Sequence, residues 1–307
     1  MASDWYLKTS SNWKLVNNAF VKVSGNWKEI QEGYIKVSGA WKQFYQAFVA
    51  TGFSTATANT TIVVPDGANA IHVQAAVGGG SGGVKGAEYD KAGGESAGAG
   101  GASGGYVSDQ VYSVTQGETL TLTIGAAGAK STGSSYNTTA GNGGNTVLSG
   151  STTGTIFTLT GGVGGSGTGG GVQGPLRSNN PSTAGTATVA ATVLTSGSFK
   201  ESDGSSASIP SATTLDNGPV GSYNSSGNGV AGTNPGNCGG DNCQITGGVG
   251  GASYNGNISG GAGGVASSSN GGDGSRGSGA GGGGAQGQTN GGDGGAGEIV
   301  YRFLRVQ

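Results

Sequence analysis

His72 is the one histidine of the chain, so any imidazole chemistry rests on it alone. No nucleophile elbow accompanies it, so a Ser-His-Asp arrangement has no starting point. The alternation Ile71-His72-Val73-Gln74-Ala75-Ala76-Val77 puts Ile71, Val73, Ala75 and Val77 on one face of a strand. His72 and Gln74 fall on the other, solvent-facing side. The carboxylates Glu88, Asp90, Glu95, Glu201, Asp203, Asp216 and Asp241 are scattered, and nothing marks two of them as a glycosidase pair. Cys238 and Cys243 bracket a Cys-Gly-Gly-Asp-Asn-Cys loop. That spacing could close a small disulfide in an oxidising medium; two free thiols are the competing reading. Two thiols and one histidine do not make a four-ligand zinc site. The glycine runs match Gly-x-Gly-x-x-Gly trivially, and no helix follows them to hold a phosphate. Gly-Gly-Asp-Gly at 271–274 and 291–294 departs from calcium-repeat spacing, so Asp273 and Asp293 read as turn residues. The expectation is a protein that is not an enzyme, with no cofactor and no metal.

Tryptophan carries the clearest spacing. Trp13, Trp27 and Trp41 recur with a period of 14. Each closes a copy of one pattern: Tyr6-Leu7-Lys8 to Trp13-Lys14, Phe20-Val21-Lys22 to Trp27-Lys28, and Tyr34-Ile35-Lys36 to Trp41-Lys42. Two heptads also span 14 residues. However, Ser-Gly in mid-unit, β-branched and aromatic residues, and the lack of a Leu/Ile seam reject a coiled coil. Each unit reads as strand, Ser-Gly turn, strand. A single hairpin cannot bury a tryptophan, so residues 1–50 form a structural or docking element whose hairpins stack with one another or with those of other chains. Exposed tryptophans as sugar-stacking platforms are the alternative.

The elements behind these residues are set by glycine. Glycine supplies 71 of 307 residues, in blocks at 78–83, 98–105, 161–171, 247–264 and 271–297. Only 10% of residues are charged and the formal net charge is −2, which argues against a charge-swollen disordered chain and a basic nucleic-acid binder. No basic, apolar leader pattern opens the chain, so it is expected to be made and assembled in a cytosol. Between the glycine blocks lie strands at 60–64, 70–77, 106–114, 119–124, 145–148, 155–160 and 298–304. Leu120, Leu122 and Ile124 should point inward. The last strand needs partners, and the good ones precede residue 160, so the C-terminus should return and close a β-sandwich.

The glycine blocks are either disordered or packed backbone to backbone. Six prolines and the run Gly281–Gly284 exclude collagen. Polyproline-II-type rods of glycine remain, exchanging amide hydrogen bonds without a side-chain core. Loops would then leave both ends of the bundle. Residues 172–246 hold most prolines and several bulky residues without periodic partners, so they read as inserted loops. Leu176, Arg177, Asn179, Phe199, Lys200 and Tyr223 are the recognition candidates.

The Val-Pro-Asp-Gly turn, the strand at Ile71–Ala75 entering a glycine run, Gly-Gly-Tyr106-Val107, the alternating strand after Gln116-Gly117, and the terminal Gly-Gly-Asp-Gly-Gly-Ala-Gly-Glu298-Ile299-Val300 together form a pattern. It resembles the glycine-rich domain of bacteriophage tail-fibre proteins over about residues 50–170 and 280–307. The long glycine blocks are similar in style to fibre-tip adhesins of T-even-like phages, in which polyglycine-II rods display loops. The N-terminus departs from those adhesins, so their capping arrangement is not carried over. The resemblance implies an all-β chain: β-hairpin repeats over 1–50, then a β-sandwich-like glycine-rich domain over 51–307 with polyglycine-II-type segments. It implies a virion location in a tail appendage after assembly in the host cytoplasm. Trp13, Trp27 and Trp41 would dock to other phage tail or fibre proteins. The loops would contact a host surface receptor, an outer-membrane protein or polysaccharide. A homotrimer is implied as well. The rival expectations are a head fibre or capsid-decorating protein, a polysaccharide depolymerase, and a disordered cell-surface adhesive.

Overall fold

A computed structural model describes residues 6–9, 12–15, 20–30, 32–46, 48–83, 100–132, 137–168, 183–210, 273–274, 281–282 and 290–307. Strands are the only regular elements among them. Three N-terminal hairpins come first: β1 (Tyr6–Thr9) with β2 (Asn12–Leu15), β3 (Phe20–Val23) with β4 (Asn26–Glu29), and β5 (Glu32–Val37) with β6 (Ala40–Gln46). Each is its own two-stranded antiparallel sheet. Ser24 (φ 50°) and Gly25 (φ 85°) make a two-residue turn with both φ positive, and Ser38 (φ 50°) and Gly39 (φ 83°) repeat it. That turn has the twist a tight hairpin needs, so the Ser-Gly motif sets the register locally.

The body begins with β7 (Ser54–Ala56), β8 (Thr60–Val63) and β9 (Ala70–Val77). It continues through β10 (Tyr106–Ser113), β11 (Thr119–Thr123), β12 (Asn137–Thr139), β13 (Thr146–Gly150) and β14 (Gly154–Leu159). The last elements are β15 (Ser166–Thr168), β16 (Ala187–Val189), β17 (Ser198–Lys200), β18 (Ser206–Ser208) and β19 (Glu298–Leu304). One sheet has the order β10-β9-β19-β7 and the other β16-β14-β13-β11-β8. The C-terminal strand lies between β9 and β7, as its unpartnered apolar character requires. Ile71, Val73, Tyr112, Ile299 and Phe303 of one sheet meet Leu120, Leu122, Leu148, Ile156, Phe157 and Leu159 of the other in a single buried cluster. Face-to-face burial of alternating side chains makes this a β-sandwich.

The alternation along β9 breaks once. The pairing with β19 shifts between Val300 and Tyr301, so Val300 faces Ala75 while Tyr301 faces Val73. This bulge at Gln74 reverses the parity that follows. Ala76, rather than the expected Ala75, joins the main core.

At one end of the sandwich the strands become rods. The segment 78–83 continues β9, 125–131 continues β11 and 161–165 continues β14. The segments 100–105, 140–145 and 291–297 lead into β10, β13 and β19. Along the central rod the amides address three neighbours in turn. Gly78 and Ser81 donate to the carbonyls of Gly105 and Ala102, Gly79 and Gly82 to those of Gly144 and Gly141, and Gly80 and Gly83 to those of Gly295 and Gly292. A partner that recurs every third residue is the geometry of an extended helix with three residues per turn. The carbonyls of the same rod accept from Gly162, Gly128, Ser131 and Gly282. Six segments therefore surround one. Neighbours in the ring are joined by hydrogen bonds from Gly105 to Thr160, Gly143 to Gly162, Gly144 to Ala126, Gly294 to Gly128 and Gly101 to Gly282, and the ring closes where Gly282 packs against the Gly292 carbonyl.

Glycine is required here for space rather than for φ. A Cβ at Gly78 would sit 2.6 Å from the Thr160 carbonyl oxygen, and one at Gly79 or Gly143 would overlap the carbonyl of Ala126 or Gly79 outright. Sheets bearing side chains stack about 10 Å apart. Without Cβ atoms the two layers close to hydrogen-bonding distance, and the bundle needs no side-chain core. Thr146 marks the boundary: its buried hydroxyl donates to the Val77 carbonyl (2.8 Å) and accepts from the Gly125 amide (2.9 Å). Each of the segments 78–83, 100–105, 125–131, 140–145, 161–165 and 291–297 has a sandwich strand at one end, so loops can leave these six from the other end only, in place of the expected two. The segment 281–282 adjoins no described strand.

Candidate functional site

The hairpins carry the tryptophans on strands. Trp13 lies on β2, Trp27 on β4 and Trp41 on β6. The register sets Lys22 opposite Trp27 and Lys36 opposite Trp41. The ammonium groups stand 5.8 and 5.9 Å from the ring centroids. Such a cation–π pair in water contributes about 0.5–1 kcal/mol, enough to orient a side chain and too little to bury it. Trp27 is 68% and Trp41 69% exposed. On the opposite faces Val21, Val23, Ile35 and Val37 are exposed too. Seven of the ten exposed large apolar side chains among the described residues lie in these hairpins, so the uncovered apolar surface is concentrated there.

Past the hairpins, the chain reaches the body at a defined point. The Ala50 amide donates to the Lys200 carbonyl (2.6 Å) and the Thr51 amide to that of Phe303 (3.1 Å). Phe303 returns a bond from its amide to the Thr51 hydroxyl (2.9 Å). Ala50 packs with Ala70 at the start of β9 and Leu304 at the end of β19. The rods leave from the opposite ends of those strands. Attachment point and rods are thus one strand length apart, roughly 25 Å at the usual strand rise.

The attachment point holds the one histidine. His72 is 4% exposed, which corrects its expected solvent-facing position. The reason is the β17–β18 hairpin, which folds back over the outer face of the β9 sheet. Arg302, the cross-strand partner of His72, donates from Nε to His72 Nδ1 (3.3 Å). Its two terminal nitrogens fork onto the Glu201 carboxylate at 2.7 and 3.1 Å. The guanidinium lies between the rings of Phe53 (4.5 Å) and Phe199 (5.1 Å). His72 Nε2 faces Asp109 Oδ1 at 3.4 Å, and Asp109 holds a left-handed backbone at φ 47°. Burial above all, then the Arg302 charge, holds the His72 pKa below its usual value, with Asp109 and Glu201 opposing.

Phe199 and Lys200 therefore lie on a strand and not in the expected loop. They form strand β17, Phe199 is 3% exposed, and the Lys200 ammonium is turned back onto Ser206 Oγ at 2.9 Å. The expected loop region is corrected over 183–209: β16 completes the five-stranded sheet, and β17–β18 strap the attachment point. Leu176, Arg177, Asn179, Tyr223, Cys238 and Cys243 lie outside the described residues. Asp293 is part of a rod, where its Oδ1 accepts from the Lys130 amide (2.8 Å) and its own amide donates to Asp273 Oδ1 (2.9 Å). Glu201 and Arg302 stand 101 residues apart, so no sequence window shows their pairing. Among the described residues, no three His, Cys, Asp or Glu side chains converge as a metal site.

Fold and site together define an all-β glycine-rod protein, a sandwich drawn out into a backbone-bonded bundle and preceded by aromatic hairpins. The chain belongs to the glycine-rich domain family, whose match runs over residues 54–304 and so leaves the hairpins outside. No curated protein matches the sequence.

Proposed function

We propose that this chain is a bacteriophage structural protein of the virion, a tail fibre or fibre-tip adhesin that attaches to the host cell surface. The observation that carries this reading is polarity. Uncovered Trp–Lys hairpins precede one end of the sandwich, and glycine rods extend from the other. Opposed ends, with no catalytic constellation among the described residues, suit display rather than turnover. In this reading Trp27 and Trp41, with Trp13 of the first repeat, dock to other tail or fibre proteins. Segments 84–99, 169–182 and 211–272, among which Leu176, Arg177, Asn179 and Tyr223 fall, meet the receptor. The chain acts as a homotrimer, carried on the particle after assembly in the host cytoplasm. Cryo-electron microscopy of intact particles tests the location. Density for the sandwich on a tail appendage is the expected result, and a purified particle lacking the chain would end the proposal. Adsorption of particles carrying Trp27→Ala and Trp41→Ala tests the docking role. Those particles should lose the chain, and adsorption with it, while the isolated body still folds.

A further inference from the structure

The joint between hairpins and body is held by a short relay. Its links are Asp109, His72, Arg302 and Glu201, and Glu201 belongs to the turn that closes the β17–β18 strap. The strap in turn holds Ala50 through the Lys200 carbonyl and Gln307 through the Ser198 carbonyl (2.9 Å). Phe199 and Ile209 of the strap share a small cluster with Ala50, Ala70, Val111 and Leu304. That cluster has six buried residues, against seventeen in the sandwich core, so the strap can part while the sandwich stays closed.

We propose that His72 is a proton-operated latch on this joint: protonation of its Nδ1 releases Arg302, and with it the strap and its hold on Ala50. The chemistry follows from the donors. Arg302 Nε–H can only donate, so Nδ1 of His72 must accept. The neutral imidazole with its proton on Nε2 meets both neighbours, accepting from Arg302 and donating to Asp109. A second proton, on Nδ1, turns the first contact into two donors face to face and sets two cations 3.3 Å apart. Arg302 does not deprotonate, so it is the group that must move. Moving it breaks the fork to Glu201 and removes the cation from between Phe53 and Phe199. The other element against the ring is the segment before β7, whose Phe53 meets it edge-on at 5.4 Å and carries no charge. Asp109 on β10 and Glu201 on the strap are the acidic groups that face the site, and each favours the imidazolium. Neither relieves the donor clash at Nδ1.

The sign is fixed by the depressed pKa. The neutral ring is favoured in the closed state, so the latch is fully engaged above about pH 6.5 and is lost as the pH falls below it. The test uses the full chain, in which the single histidine resonance needs no assignment. Nitrogen-15 labelling should show the Nε2–H tautomer and a midpoint below 6.5. Hydrogen exchange, corrected for intrinsic rates, should quicken at Ala50 and 198–209 between pH 7.5 and 5, by roughly tenfold for each unit of pKa depression. Amides of Gly78–Gly83 should not change. Glu201→Gln should open the strap at pH 7.5, and His72→Gln should flatten the pH response. A proton on Nδ1, a midpoint at or above 6.5, or pH-independent exchange in the strap would each overturn the latch. If His72→Gln does not fold, the wild-type titration and exchange decide by themselves.

Discussion

The sandwich and the rod bundle are made by the same chain segments, yet they cohere in different ways. In the sandwich, β9 alternates with period two and buries Ile71 and Val73 against the other sheet. One residue beyond Val77, the same segment changes to period three and is held by main-chain hydrogen bonds to three neighbours. The sandwich is stabilised by apolar area removed from water, about 1.5–3 kcal/mol for each large side chain. The bundle is held by main-chain hydrogen bonds between rods and by glycine wherever a Cβ would strike a neighbouring carbonyl. The difference teaches where tolerance lies. A side-chain core can repack around a substitution, whereas a backbone core has nothing to move aside.

The comparison breaks most severely at the central rod. Gly79→Val sets a branched side chain into the Ala126 carbonyl, and we expect no folded body at 25 °C, a loss above about 5 kcal/mol, the lower bound of ordinary domain stability. A cooperative melt at the wild-type temperature would refute the backbone-core account. Phe157→Ala, in the middle of the sandwich, should cost about 3–5 kcal/mol by urea unfolding and still give a folded protein. If it proves costlier than the glycine substitution, the ranking of the two halves is wrong.

Glu118 sharpens the contrast at the sandwich rim. Its carboxylate accepts from the amides of Thr115 (2.6 Å), Thr152 (3.1 Å) and Thr153 (2.9 Å) and from the Thr153 hydroxyl (2.6 Å). Burial pushes its pKa up, but these four bonds outweigh it and hold the group below its ordinary value. Its contribution is therefore present above about pH 4.3 and is lost as the pH falls through the depressed pKa. Glu118→Ala should cost about 1–3 kcal/mol at pH 7, and the difference from wild type should shrink in acid, as followed by thermal melts. Gly52→Ala is the smallest effect. Nothing lies within 4 Å of the added Cβ and the φ is ordinary, so stability should stay unchanged or rise by at most about 1 kcal/mol. A loss comparable to that at Gly79 would show that glycine is needed here for something other than space.

The hairpins and strands were legible because their signals are local. Ser-Gly places a tight turn wherever it falls between alternating residues, and Leu120 and Leu122 announce their buried face without reference to any partner. The C-terminal strand betrayed its need for partners by its apolar alternation. The choice of β9 and β7 as those partners came from tertiary pairing. His72 was misread because a period-two pattern shows which side of a strand a residue takes and not what covers that side. The cover is β17, over a hundred residues away, where Phe199 looked like a lone aromatic in a loop. In the rods the limit is stricter. Contacts between glycine backbones involve no side chain, so residue identity can exclude bulk but cannot encode which rod meets which. The amino-acid order by itself determined turns, alternation and the places where backbones could touch. The three-dimensional fold alone decided the six-around-one arrangement, the burial of His72 and the strap at the joint, because sandwich strands set the register that glycine leaves open.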